Sequence, residues 1–152
     1  MKKTLCIFLA ILFISLTACS QYAEPDVGEL TDLILSEQTI EEITYASESD
    51  VGILFDIDLD RVEAYRVCYS GKGGYADMIA VFKLKNSVDA DSVSSVLEKY
   101  KSDRYEDFKG YAPLEAKKIE KGRIMVYGRY VLLVVVPDIS AAQKTIDAAF
   151  SV

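Results

Sequence analysis

Carboxylates at alternate positions give the first candidate for chemistry. Asp56, Asp58 and Asp60 are spaced like the ligands that open an EF-hand calcium loop. Such a loop also requires glycine at its sixth position and a bidentate glutamate at its twelfth, where this chain has Arg61 and Val67. A solvated acidic turn therefore explains the spacing better, with a weak extracellular calcium site as the alternative.

Other reactive groups are sparse, because the chain contains no histidine. That absence removes His-based zinc sites, Ser-His-Asp triads and the commonest general base near neutral pH. Asp77 and Glu115 are available carboxylates, but nothing in the sequence pairs them. The segment Gly71–Gly74 lacks the spacing of a phosphate loop. We expect Cys68, in a predicted strand, to be buried and inert, with intermolecular pairing as the alternative. No cofactor, metal site or catalytic residue is predicted.

Tyrosines and basic residues form the candidate interaction surface. The chain has ten tyrosines and no tryptophan, and tyrosine contributes strongly to protein interfaces. Two hairpins that brought their ends together would place the tyrosines on one surface, and the basic residues cluster in the sequence around one predicted strand pair. The candidate residues are Tyr65, Tyr69, Tyr75, Tyr111, Lys118, Lys121, Arg123 and Arg129. The alternatives are core packing for the tyrosines and a solvated sheet edge, protected by lysines, for the basic residues.

The beginning of the chain carries the pattern of an export signal. Two lysines precede an apolar run from Leu5 to Leu16, shorter than the roughly 20 residues that a membrane span needs. Leu16-Thr17-Ala18-Cys19 then resembles the lipobox of bacterial lipoproteins. That resemblance implies cleavage before Cys19 and a diacylglycerol on its thiol, and two acyl chains suffice for stable anchoring. An ordinary signal peptide that leaves a cysteine there is the alternative.

Cleavage at that point divides the chain into three parts. We expect a signal peptide at 1–18, a lipidated tether at 19–26 and one domain at 27–152. The mature chain keeps 134 of the 152 residues, enough to bury one core. It carries 15 basic and 24 acidic side chains, a balance of −9, because Lys2 and Lys3 leave with the signal. This charge disfavours nucleic acid and general attraction to anionic lipid.

Hydrophobic periodicity predicts an α+β fold. We expect one four-stranded, mainly antiparallel sheet in ββα-ββα order, helices packed on one face, and an N-terminal helix beside them. Gly110 and Pro113 should end the third helix and prevent its resumption. The predicted helices are 27–38, 50–57, 90–109 and 140–150, and the predicted strands are 63–69, 76–85, 118–127 and 130–136, the last a central strand and not an edge. The strand 76–85 should alternate, with Phe82 on one face and Val81 on the other. Asp26 is the candidate N-cap of the first helix, and Tyr100, Arg104 and Phe108 lie on one stripe of the third.

Several segments between Ile53 and Phe150 resemble a known family. The segments are Ala76–Lys83, Phe108–Pro113 and Gly128–Val135, and the family is that of small bacterial lipoproteins carrying the domain of unknown function DUF4358. The resemblance implies a Gram-positive lipoprotein on the outer face of the plasma membrane. It supplies no activity, cofactor or catalytic residue.

The sequence thus predicts a lipid-anchored, non-catalytic interaction module of the cell envelope. It would bind the membrane through Cys19 and contact an envelope protein. A small-ligand or ion-binding lipoprotein is the alternative, and an enzyme ranks third. A tyrosine-rich patch would favour a protein partner, an enclosed pocket a ligand, and a cleft with two close carboxylates an enzyme.

Overall fold

The computed structural model describes residues 22–152, in which five α-helices accompany one five-stranded sheet. The predicted signal peptide and Cys19 lie outside the described residues. The helices are α1 (Val27–Ser36), α2 (Glu48–Leu54), α3 (Ala90–Lys109), α4 (Pro113–Lys121) and α5 (Ile139–Phe150). The strands are β1 (Ile43–Tyr45), β2 (Val62–Ser70), β3 (Met78–Leu84), β4 (Arg123–Tyr127) and β5 (Tyr130–Val135). Within 22–152 no helix is both long and apolar enough to cross a membrane.

The sheet is antiparallel throughout, in the order β1-β2-β3-β5-β4. All six residues of β5 are buried, and it lies between β3 and β4, which confirms the prediction of a central strand. The alternation predicted for β3 is also confirmed. Phe82 contributes to the core on one face, and Val81 contributes to the core on the other.

Helices cover both faces of this sheet, so the expectation of helices on one face is wrong. One core lies under α2, α3 and α4 and includes Phe82 and Leu97, and the other lies under α1 and α5 and includes Leu30 and Ile146. The physical reason is the composition of β3 and β5. Strands that are apolar on both sides must be covered on both faces.

The sheet has five strands where four were predicted. The additional strand is β1, which pairs with the end of β2 through Ile43 opposite Ser70 and Tyr45 opposite Cys68. It is three residues long and lies in an acidic stretch without alternation, so it gave no periodic signal. Its register is set by its pairing with β2.

Helix α4 replaces the first part of a predicted strand. The residues 118–127 were expected to be extended, whereas α4 continues to Lys121 and β4 begins at Arg123. Pro113 was expected to prevent a helix, yet it starts one. The first-turn N–H groups of a helix have no intrahelical partner, so proline is well tolerated there. Ala116 and Ile119, three residues apart, bury the inner face of α4.

Residues 22–26, which the sequence assigned to the tether, pack against the domain and are called the N-terminal arm below. The ring of Tyr22 meets Tyr127 edge-on at 5.5 Å, and Pro25 accepts a 2.8 Å hydrogen bond from the Tyr130 hydroxyl. Asp26 accepts bonds from the first N–H groups of α1, which confirms it as the N-cap. The arm therefore adjoins the β4–β5 turn, and this end of the sheet is called the arm end.

Candidate functional site

An open cleft of about 360 Å³ lies at the other end of the sheet, which is called the cleft end. Met78 and Val135 pair at this end, whereas Lys83 and Tyr130 pair near the arm end. The cleft is walled by the end of β2, the β2–β3 connector, the second half of α3 and the residue Tyr111. Its aromatic lining comprises Tyr69, Tyr75, Tyr100, Phe108 and Tyr111.

Helix geometry explains how α3 contributes to this lining. Tyr100, Arg104 and Phe108 are spaced by four residues, so they lie along one face of α3. A 20-residue helix spans about 30 Å and a seven-residue strand about 23 Å. Because α3 starts near the arm end, a few residues after Leu84, and packs over β4 and β5, its second half reaches the cleft end. There Tyr100 packs on Phe55 at 4.7 Å, and Phe108 on Tyr111 at 5.1 Å.

A buried ion cluster supports one wall of the cleft. Lys118 Nζ on α4 lies 3.0 Å from both carboxylate oxygens of Asp77 and 2.8 Å from Glu115 Oε2. The side chains of Asp77, Lys118 and Glu115 are 2%, 17% and 18% exposed. The same Glu115 oxygen accepts a 2.8 Å bond from the Ala76 N–H. The cluster thus fastens α4 to the start of β3 and to the connector that carries Tyr75.

Electrostatics keep this lysine charged. Burial acts to lower the pKa of Lys118, but hydrogen bonds to Glu115 and Asp77 raise it overall. Burial raises the pKa of Asp77, and Lys118 opposes that rise. An ammonium group has three N–H donors, and here three carboxylate oxygens receive them. The hydrogen bonds from Lys118 to Asp77 and Glu115, and from the Ala76 N–H to Glu115, connect separate segments, which is the geometry of a structural support. The raised pKa of Lys118 agrees with this role, since a nucleophilic or basic lysine needs a lowered pKa.

Within residues 22–152, Arg104 is a cation of the cleft that has no acidic partner. Its guanidinium lies 4.4 Å from the centre of the Phe108 ring. Lys72, by contrast, pairs with Glu41. Among the salt bridges of residues 22–152, none includes Arg104. The cleft therefore offers aromatic faces together with a guanidinium that is able to bind an anionic or hydrogen-bond-accepting group.

The structure brings together half of the predicted interaction surface. Tyr69, Tyr75 and Tyr111 line the cleft, and Lys118 lies 5.7 Å from the Tyr75 ring. The other four lie elsewhere. Tyr65 packs beside Phe82 in the core, Lys121 ends α4, Arg123 is exposed on β4, and Arg129 is at the arm end.

Sequence reasoning missed the contribution of three α3 side chains to the cleft. It also missed the pairing of Asp77 and Glu115 with Lys118. Tyr100, Arg104 and Phe108 were assigned to one stripe of the predicted helix, which describes their spacing. That assignment did not show that they line a cleft. Asp77 and Glu115 were noted without a partner, because the lysine between them was placed on a strand. Lys118 follows Glu115 by three residues, so a helix predicted at 113–121 would have placed both side chains on the same face.

The remaining candidate motifs have structural explanations. Asp58 accepts bonds from the Asp60 N–H and from Arg61, and within 22–152 no three acidic or cysteine side chains are arranged to hold a metal ion. The Gly71–Gly74 segment joins β2 to β3 as a turn. Cys68 is 1% exposed, which confirms the prediction that it is buried. Burial raises its pKa to about 11, in keeping with the expected low reactivity of the thiol.

The fold and the cleft define an α+β domain built on one antiparallel sheet with helices on both faces. Residues 37–136 match the family described as domain of unknown function DUF4358, and the chain belongs to that family. The match includes every residue that lines the cleft. No curated protein and no solved structure matches the chain.

Proposed function

We propose that this chain is a lipid-anchored protein of the cell envelope that acts as a non-catalytic interaction module on the outer face of the plasma membrane. The aromatic cleft is its binding surface, and the bound partner is a segment of another envelope protein. The observation that carries the proposal is the grouping of five aromatic side chains and Arg104 around one open cleft.

The anchoring part of the proposal rests on the sequence. The segment Leu16–Cys19 has the lipobox pattern after an apolar run too short to span a membrane. A diacylglycerol on Cys19 would hold the domain at the bilayer without any basic surface, in keeping with a mature balance of −9.

The composition of the cleft favours a protein partner. Tyrosine and arginine are enriched among the residues that contribute most to the binding free energy of protein complexes. Tyr111 is 64% exposed although it lines the cleft. An open cleft with an exposed aromatic side chain gains most from a partner that extends beyond it.

A small-ligand function is the second candidate. The volume of about 360 Å³ lies at the lower end of the range for small-molecule sites, which runs from about 300 to 1,000 Å³. Arg104 could bind a carboxylate or phosphate group of such a ligand. The openness of the cleft gives this candidate the second place, because small-molecule sites usually enclose most of the ligand surface.

Site-specific photocrosslinking in intact cells tests the proposal. A benzoylphenylalanine at position 111 would report on the cleft, and one at position 45 is the matched control. Tyr45 is also an exposed tyrosine, with 47% of its surface accessible. It pairs in the sheet with Cys68, and the side chain of Cys68 belongs to the core under α1 and α5, on the sheet face opposite α3. We expect one defined protein adduct from position 111 and none from position 45. The same adducts from both positions, or none from position 111 while the purified domain binds a small molecule, would contradict a protein partner.

A further inference from the structure

The N-terminal arm is fixed to the domain at several points. Glu24 pairs with Arg129, at 2.7 Å from Nε, and lies 3.4 Å from Lys83. The Ala23 N–H bonds to the Phe150 carbonyl at 3.3 Å, and Tyr22 packs on Tyr127. The direction in which the chain leaves the domain is therefore set by the fold.

Very little chain separates this arm from the proposed anchor. Only Ser20 and Gln21 lie between Cys19 and Tyr22. Three residue steps cover at most about 11 Å when fully extended. A lipid on Cys19 would hold Tyr22, and with it the arm end, within that distance of the membrane surface.

The cleft lies at the opposite end of the central strands. Leu84 ends β3 beside the arm end, and Met78 begins it in the cleft wall. The six steps between them correspond to about 20 Å along the strand. The neighbourhood of Tyr22 includes Asn86, Ser87 and Gly128, whereas the cleft includes Gly73 and Tyr75.

We infer that the arm end of the domain is its membrane-facing surface and that the lipid headgroups are the surface it meets. The aromatic cleft then points away from the bilayer. This inference rests on the proposed anchor at Cys19, and it adds the orientation. The partner of the cleft approaches from outside the membrane, and a lipid of the same bilayer does not reach it.

Fluorescent labels at the two ends of the domain test this orientation. Ser87→Cys and Gly73→Cys each introduce one accessible thiol; both positions are exposed, and a side chain at residue 73 meets no neighbour within 4 Å. Cys68 is buried and Cys19 carries the lipid, so the dye attaches to the new thiol. The lipidated mature protein, which begins at Cys19, is isolated from membranes and reconstituted in vesicles whose headgroups carry a nitroxide quencher.

The expected result is loss of most of the fluorescence at position 87 and retention of most of it at position 73. The intact mass of the purified protein reports separately whether Cys19 carries diacylglycerol. With the lipid present, equal quenching or stronger quenching at position 73 would overturn the orientation while leaving the anchor intact. A mass without lipid would overturn the anchor itself, and the orientation with it.

A variant with a released arm provides the internal control. Glu24→Ala together with Tyr130→Phe removes the Glu24 ion pairs and the hydrogen bond to Pro25 while keeping the aromatic ring in place. The difference in quenching between positions 87 and 73 should shrink in this background, because the domain gains freedom to turn on a longer tether. A difference that stays unchanged would overturn the role of the arm in setting the orientation.

Discussion

Two ion clusters at opposite ends of the sheet have similar composition and different burial. At the cleft end, Lys118 lies between Asp77 and Glu115. At the arm end, Arg129 and Lys83 both pair with Glu24 and Glu63. The carboxylates of the first cluster are 2% and 18% exposed, and those of the second 48% and 43%. Because a buried charge loses its hydration, the first cluster depends on its pairing far more than the second.

This difference in burial corresponds to two roles. The buried cluster fixes α4 and the connector that together shape one wall of the cleft. The exposed cluster fastens a short arm and can open at little cost. The role of a cation between two carboxylates can therefore be inferred only when the solvent exposure of the cluster is known.

The largest expected effect is that of Lys118→Met. Removal of the ammonium leaves Asp77 and Glu115 facing each other without compensation, and breaking a buried pair typically costs about 3–5 kcal/mol. We expect the free energy of unfolding, measured by chemical denaturation, to fall by about 3 kcal/mol, the lower end of that range.

The double variant Lys118→Met with Asp77→Asn is the matched control. It removes one of the two carboxylates that the single substitution leaves unpaired, so it should recover part of the lost stability. A double variant no more stable than Lys118→Met would show that the loss arises from packing of the lysine stem instead of from unpaired charge.

Arg129→Ala should have a smaller effect at the other end. Exposed pairs contribute about 0.2–1 kcal/mol each, and two carboxylates share this guanidinium, so we expect a loss of about 1 kcal/mol. Salt should reduce the difference from the parent protein, because exposed charges are screened. A loss as large as that of Lys118→Met would contradict the contrast between the two clusters.

Acid should weaken the arm through Glu24. The hydrogen bond from Arg129 lowers the pKa of this carboxyl from 4.5 to about 2. A carboxyl whose pKa is lowered by folding stabilises the folded state above its unfolded pKa, and this contribution disappears as the pH falls through the folded value. The melting temperatures of the parent and of Glu24→Gln should therefore differ above pH 4.5 and converge towards pH 2. A difference that is constant over this interval would contradict the assignment.

The smallest effect on stability is expected for Arg104→Ala. This side chain forms no salt bridge within 22–152, and substitutions away from such features usually change stability by about 0.5 kcal/mol or less. Chemical denaturation should therefore give nearly the parent value. A large loss would assign Arg104 to the scaffold instead of to the binding surface.

The sequence predicted best where the pattern was long and periodic. Helix α3 has the predicted bounds of Ala90 and Lys109, because apolar residues recur at three and four positions and Gly110 follows. The two faces of β3 were also predicted from simple alternation. Both faces of β3 are apolar, but a single run of residues did not reveal that separate sets of helices cover them.

The cleft was harder to predict because its parts come from separate elements. Tyr69 and Tyr75 were singled out by residue type alone. Tyr100 and Phe108 were placed on a helix stripe by their spacing, and only the path of α3 from the arm end back to the cleft end brings them to the open cleft. Pro113 was interpreted as a stop, although proline is equally suited to a first helical turn. That one assignment concealed α4 and with it the ion cluster of Lys118.

The central claim is that the aromatic cleft binds a partner protein in the envelope, and the crosslink from position 111 tests it most directly. Its yield should be measured in cells that carry Arg104→Ala and, as the matched control, Lys99→Ala. Lys99 is on the same helix, is exposed, and pairs with Asp103 away from the cleft. The account predicts that the adduct is lost with Arg104→Ala and kept with Lys99→Ala, at equal protein levels. An adduct that persists in Arg104→Ala, or that disappears equally in both variants, would contradict it.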